Sequence, residues 1–136
     1  MAINHLAPTN HPIHELFQKR WSPLAFSPRE VSKEDVACLL EAARWAPSAF
    51  NEQPWNYIVG YAGDDIHENI SSVLLEGNAW AKAAPVLMIS IASLKFARNQ
   101  KENQYAFHDV GAASVSMAYE AAHRGLMMHQ MAGFDI

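Results

Sequence analysis

The sequence predicts a single domain over residues 1–136 that mixes helices with strands, and three stretches carry that prediction. Trp55, Tyr57, Val59 and Tyr61 alternate with Asn56, Ile58 and Gly60, the two-residue period of a strand. Val86 to Ala92 is apolar except for Ser90, a run whose length and continuity suit a strand buried on both faces. Asn103 to Arg124 reads as one long helix of roughly 30 Å, and from Gly111 to Ala122 it is rich in Gly, Ala and Ser. Small side chains let other backbones approach closely, which places this helix at the centre of the fold or at a subunit interface.

The remaining elements follow from local signals. Residues 1–11 read as a loose arm, and His11-Pro12 opens a short helix ending near Lys19. Pro23 and Pro28 make 20–31 an extended connector, because residues before proline avoid helical geometry. Ser32 with Asp35 three positions on forms a capping-box-like start. The helix that follows puts Val36, Leu39, Leu40 and Ala43 on one face, with Cys38 and Trp45 on its outer side, and Pro47 ends it. Asp64 or Asp65 caps a helix to about Leu75, broken by Glu76-Gly77-Asn78. Pro85 opens the second strand, and Lys95 to Glu102 is a polar connector with helical character. Gly125 stops the long helix. Leu126 to Met131 reads as a further strand, and Gly133-Phe134-Asp135-Ile136 ends the chain abruptly.

Composition narrows the function classes. The chain has 136 residues, 50% of them hydrophobic and 18% charged, which is ordinary for a globular domain. A net charge of −4 without any Lys/Arg cluster gives no means of neutralising nucleic-acid phosphates. One cysteine excludes an internal disulfide and fits a reducing cytosol. The N-terminus has neither a basic start nor an apolar run, and no stretch approaches the ~18 apolar residues of a membrane span. These features predict a cytoplasmic protein with neither nucleic acid nor membrane as partner.

The segment Pro47-Ser-Ala-Phe-Asn-Glu-Gln-Pro-Trp55 is the most informative. One proline stops a helix and a second starts a strand. Between them a hydroxyl and the carboxamides of Asn51 and Gln53 can hydrogen-bond a flat heteroaromatic ring without adding charge, Glu52 apart. Together with Arg20-Trp-Ser-Pro23, Trp80-Ala-Lys-Ala-Ala-Pro-Val-Leu87, Asp109-Val-Gly-Ala-Ala113, Gly125-Leu126 and Met131-Ala-Gly-Phe-Asp135, the loop resembles the flavin-dependent nitroreductase family over nearly the whole chain.

That resemblance implies an α+β fold, nitroreductase-like, with a central mostly antiparallel sheet flanked by helices. It also implies an intertwined homodimer with FMN at the interface and NAD(P)H as electron donor to an electron-poor acceptor such as a nitroaromatic or quinone, in a ping-pong cycle. Arg20 matches the family's first phosphate-binding arginine, suited to a group of charge near −2. Ser22 adds a hydroxyl on the same face of an extended segment. Trp21 points the other way, its ring read as core and its backbone as lying near the flavin. Pro47, Ser48, Ala49 and Asn51 match the loop that one subunit presents to the other's flavin, with Gln53 tying the loop down. Asn78 lies where the family supplies a carboxamide to the pyrimidine edge, and Lys82 is a second candidate cation.

Two departures stand out. Leu24 occupies the place of a second Arg or Lys, and losing one charged hydrogen bond costs ~1.5–3 kcal/mol. The family's C-terminal segment, with a late cationic phosphate contact, does not follow Asp135. A shortened member that dimerises or binds a partner without turnover is therefore the alternative.

Other chemistries find no support in the residues. The seven histidines show no paired metal-ligand spacing, Ser114 and Ser116 lack a hydrolase elbow, and no dinucleotide glycine fingerprint occurs. Cys38 reads as a buried interface thiol. No side chain is singled out as a catalytic acid or base.

Overall fold

The computed structural model describes residues 6–135. It contains α1 (Glu15–Lys19), α2 (Lys33–Arg44), β1 (Trp55–Tyr61), α3 (Asp65–Ser72), β2 (Val86–Ala92) and α4 (Ala106–His123), with 3₁₀ turns at Ala49–Asn51 and Glu76–Ala83. α2 begins as its cap dictates: Ser32 Oγ accepts from the Asp35 amide at 3.0 Å and donates to Asp35 Oδ2 at 2.8 Å. Leu39 and Ala43 of its apolar stripe share a core with Ala113, Met117 and Ala121 of α4. The small residues of α4 do let a neighbour approach, and the helix is central.

β1 and β2 pair antiparallel, from Trp55↔Ala92 to Tyr61↔Val86. Trp55, Tyr57 and Met88 pack toward the α2–α4 core. On the opposite face Leu87 and Ile89 join Ile70, Ala81 and Ala84. The sheet is therefore the middle layer, between α2/α4 and α3 with its following 3₁₀ segment. No helix among the described residues is long and apolar enough to cross a membrane.

Several elements differ from the sequence expectation. β2 is not buried on both faces throughout: Ser90 and Ile91 are exposed, because the covering layers reach only its first half. Lys95–Glu102 is not helical but a tight loop closed by a Lys95↔Glu102 bridge and by Phe96 bonded to Lys101. Asn99 Oδ1 accepts from the Lys101 amide there, and such local side-chain bonds compete with helix. Leu126–Met131 is not a strand. The chain turns back at Gly125 (φ 70), bonding Leu126 N–H to Ala121 O at 2.8 Å, and no strand edge among the described residues meets it.

Boundaries also shift. α1 starts at Glu15 because His14 Nδ1 caps the Leu16 amide, and α3 ends at Ser72, with Glu76-Gly77-Asn78 opening a 3₁₀ segment instead of breaking the chain into loop. The N-terminal arm lies outside the described residues up to position 5. Beyond that, Ala7 donates to Gln18 O and Gln18 Nε2 to Thr9 Oγ1, so the arm is pinned to α1.

Candidate functional site

Arg20 closes α1 with extended backbone (φ −64, ψ 124), its N–H bonded to Leu16 O. Its Nη1 donates to Ser22 Oγ at 3.3 Å, so the two predicted side chains converge. No carboxylate pairs with Arg20 among the described residues. Trp21 corrects the sequence reading. Its ring is 51% exposed, not core, and lines a groove of about 890 Å³ with Leu24, Phe26, Tyr57, Trp80 and Met88. The reason is the connector itself, which has neither helix nor strand and runs over the surface. Tyr57 and Ser114 form a hydroxyl pair at 3.4 Å in the groove, and burial pushes the Tyr57 hydroxyl pKa up, partly offset by Ser114.

The second group of predicted residues lies on the Pro47–Pro54 loop, whose backbone is unusual. Phe50 (φ 57), Asn51 (φ 56) and Gln53 (φ 52) are all left-handed. Asparagine tolerates this, but Phe50 and Gln53 each store about 1–2 kcal/mol. Ser48 Oγ accepts from the Gln53 amide at 3.0 Å, and Gln53 Nε2 donates to Arg44 O at 3.3 Å, so Gln53 ties the loop down as expected. Asp109 Oδ2, on a side chain buried to 4% exposure, accepts from the Ala49 amide at 3.0 Å. Glu52 Oε1 accepts from the Ala97 amide. Arg98 lies 4.3 Å over the Phe50 ring, which also meets Phe96 edge-on. Asn51 is left exposed in a shallow depression with Arg44, Trp45 and Gln53.

Asp109, Glu52 and Arg98 were not among the residues that sequence reasoning assigned to a site. Asp109 stood only in the landmark Asp109-Val-Gly-Ala-Ala113. Nothing local says that its carboxylate reaches Ala49.

Asn78 is engaged elsewhere. Its Nδ2 donates to the carbonyls of Ala132 and Gly133, leaving only its oxygen for another partner. Gly133 permits this approach, with φ 94 and an ideal Cβ position only 2.8 Å from Asn78 Nδ2. Lys82 is exposed. No group of three or more His, Cys, Asp or Glu among the described residues could hold a metal ion. Cys38 is half-buried, 3.9 Å from Glu34.

Arg20 and Ser22 bond to each other, whereas the Ser48–Gln53 loop is anchored by Asp109 and by the Ala97 amide. Phe17 of α1 packs edge-on against Tyr119 at 4.7 Å between ring centres, so α1 lies against the C-terminal half of α4. The Ser48–Asn51 loop is bonded to Asp109 at the other end. At the helical rise, Asp109 and Tyr119 are about 15 Å apart along the axis.

Known proteins resemble this chain in sequence and fold. A crystal structure described as an oxidoreductase containing FMN superposes with a TM-score of 0.89 at 34% identity, over 98% of this chain and 70% of that one. The major NAD(P)H-flavin oxidoreductase of Aliivibrio fischeri is 30% identical over 93 residues, 65% of this chain and 43% of that protein. An uncharacterized 15.4 kDa protein of Mycolicibacterium smegmatis is 36% identical over 75 residues, 55% of this chain and 50% of that protein. The chain thus spans half or less of the length of these two curated relatives. The model described as Nitroreductase family matches residues 17–136, nearly the whole of the sequence, and with the α+β fold and the order of its motifs the chain belongs to the nitroreductase family.

Proposed function

We propose that the protein is an FMN-dependent oxidoreductase carrying a hydride from NAD(P)H to an electron-poor small molecule such as a nitroaromatic or quinone, acting as a cytoplasmic homodimer. The observation that carries this reading is the Arg20–Ser22 pair. A guanidinium with no carboxylate partner among the described residues, bonded to a hydroxyl whose own proton stays available, is a donor set suited to a phosphate. The FMN-containing crystal structure at 34% identity and the flavin oxidoreductase name of the Aliivibrio fischeri relative support it.

In this reading Arg20 and Ser22 hold the phosphate, and the backbone at Trp21 lies beside the cofactor. Pro47, Ser48, Ala49 and Asn51 come from the other protomer, as the family resemblance implies. The Asn78 carboxamide oxygen remains for a ring N–H. When bound, FMN would supply the hydride-transfer chemistry of a ping-pong cycle between nicotinamide and acceptor. The protein orients the ring, excludes water with the rigid loop, and offers a carboxamide at Asn51. It assigns no acid or base.

Leu24 favours a second reading. It is 64% exposed where the resemblance implies a cation, as in a member that dimerises or binds a partner without turnover. The visible spectrum decides. Bound oxidised flavin, bleached by NAD(P)H without oxygen and restored by an acceptor, is the expected result. A colourless protein that added FMN does not restore overturns the flavoenzyme reading.

A further inference from the structure

We infer that Asp109, from inside the fold, and Glu52, from its surface, are positioning residues that hold the Ser48–Gln53 loop in its left-handed shape so that it can face a flavin. The inference rests on the flavin reading above and adds two residues to it. A loop with Phe50 and Gln53 at positive φ relaxes toward negative φ unless its surroundings over-determine it.

The surroundings do so from two distant parts of the chain. Asp109, in the first turn of α4, accepts the Ala49 amide at 3.0 Å. The bond works in both directions, because a carboxylate buried to 4% exposure is poorly solvated without that donor. Glu52 accepts the Ala97 amide and so clips the loop to the Lys95–Glu102 turn. That turn also sends Arg98 over the exposed Phe50 ring and Phe96 against its edge. Each acidic side chain acts through a backbone amide, and each therefore governs where Ser48, Ala49 and Asn51 stand.

The test uses the full chain with Asp109→Asn, Asp109→Ala and Glu52→Ala. Asparagine keeps the acceptor oxygen, alanine does not, and the Glu52 variant leaves the core untouched should Asp109→Ala fold poorly. Amide exchange of the 46–54 segment is measured without ligand. FMN affinity is measured by flavin fluorescence, and the environment of the bound ring by visible circular dichroism. Both alanine variants are expected to exchange at least about tenfold faster in 46–54, to bind FMN about tenfold more weakly and to change the visible band. Asp109→Asn is expected to stay close to wild type in all three.

Unchanged exchange in the alanine variants overturns the inference. So does faster exchange with undiminished FMN affinity, or an asparagine variant as damaged as alanine. A wild-type chain that takes up no FMN overturns the functional reading and this role with it, whereas a wild type that binds FMN as tightly as every variant overturns the role alone.

Discussion

A Cβ on Gly60 would lie 2.4 Å from the His67 backbone nitrogen and 2.6 Å from its Cα. The obstruction is backbone, not the tip of a flexible side chain, so β1 and α3 would have to separate. Gly60→Ala is expected to cost about 3 kcal/mol or more in urea unfolding. A loss below about 1 kcal/mol would show that α3 shifts freely. Arg20 makes the opposite kind of contribution, through binding and not packing. Arg20→Ala removes a charge-assisted contact of about 1.5–3 kcal/mol, so FMN should bind roughly ten- to a hundredfold more weakly while the thermal midpoint of the ligand-free chain barely moves. Arg20→Lys should recover little, since a lysine cannot keep both the Ser22 bond and a planar donor pair. Of the site's individual residues, those visible in the sequence are the ones whose chemistry is local: Arg20 and Ser22 two positions apart, and Ser48 with Gln53. Asp109 was invisible as a partner of Ala49 because only the packing of α4 brings them together.

Elements were legible where their boundaries depend on neighbours in sequence. Ser32 caps α2, Asp64 caps α3, prolines end α2 and open β2, and alternation marks β1. They were illegible where the outcome depends on a distant partner. Leu126–Met131 has strand-like residues, but Leu126 and Met128 pack into the α2–α4 core and His129 Nδ1 donates to Pro23 O at 2.8 Å, with no ladder to join. Lys95–Glu102 has helix-compatible polarity, yet Gln100 at φ 57 closes it as a turn. The cap at Asp64 yields a pH prediction. Its carboxylate accepts the His67 amide at 2.7 Å and the Tyr61 amide at 2.9 Å, and these bonds, His67 first, hold its pKa below the usual carboxylate value. A folded-state pKa below the unfolded one adds stability above the unfolded value and loses it as pH falls through the folded value. Asp64→Asn should therefore melt below wild type at neutral pH, because its amide group cannot accept both bonds. The two midpoints should converge as pH drops below about 4. A gap that persists in acid would mean that the charge on Asp64 is not what the cap requires.

At the scale of the whole molecule, several large apolar side chains stand exposed. Trp45 is 77% exposed, Phe50 70% and Phe107 73%. Along α4, Phe107, Gly111 and Val115 recur every fourth residue on one exposed face, and nothing lies within 4 Å of a Cβ built on Gly111. That face starts in the same first turn of α4 as Asp109, which anchors the loop proposed to serve a second protomer's flavin. In the homodimer proposed above, Arg20 of one copy and the Asn51 loop of the other would share one flavin. On that reading association and flavin binding are coupled, and a change that prevents the first is expected to weaken the second. Phe107→Glu places a charge on the exposed face without touching the buried side of α4 or any residue assigned to the flavin. Sedimentation velocity should show a monomer in place of a dimer, with far-ultraviolet circular dichroism unchanged, and the protein should lose its yellow colour at micromolar concentration. A folded monomer that keeps stoichiometric FMN would refute the two-copy site, since a single chain would then hold the cofactor without the distant loop.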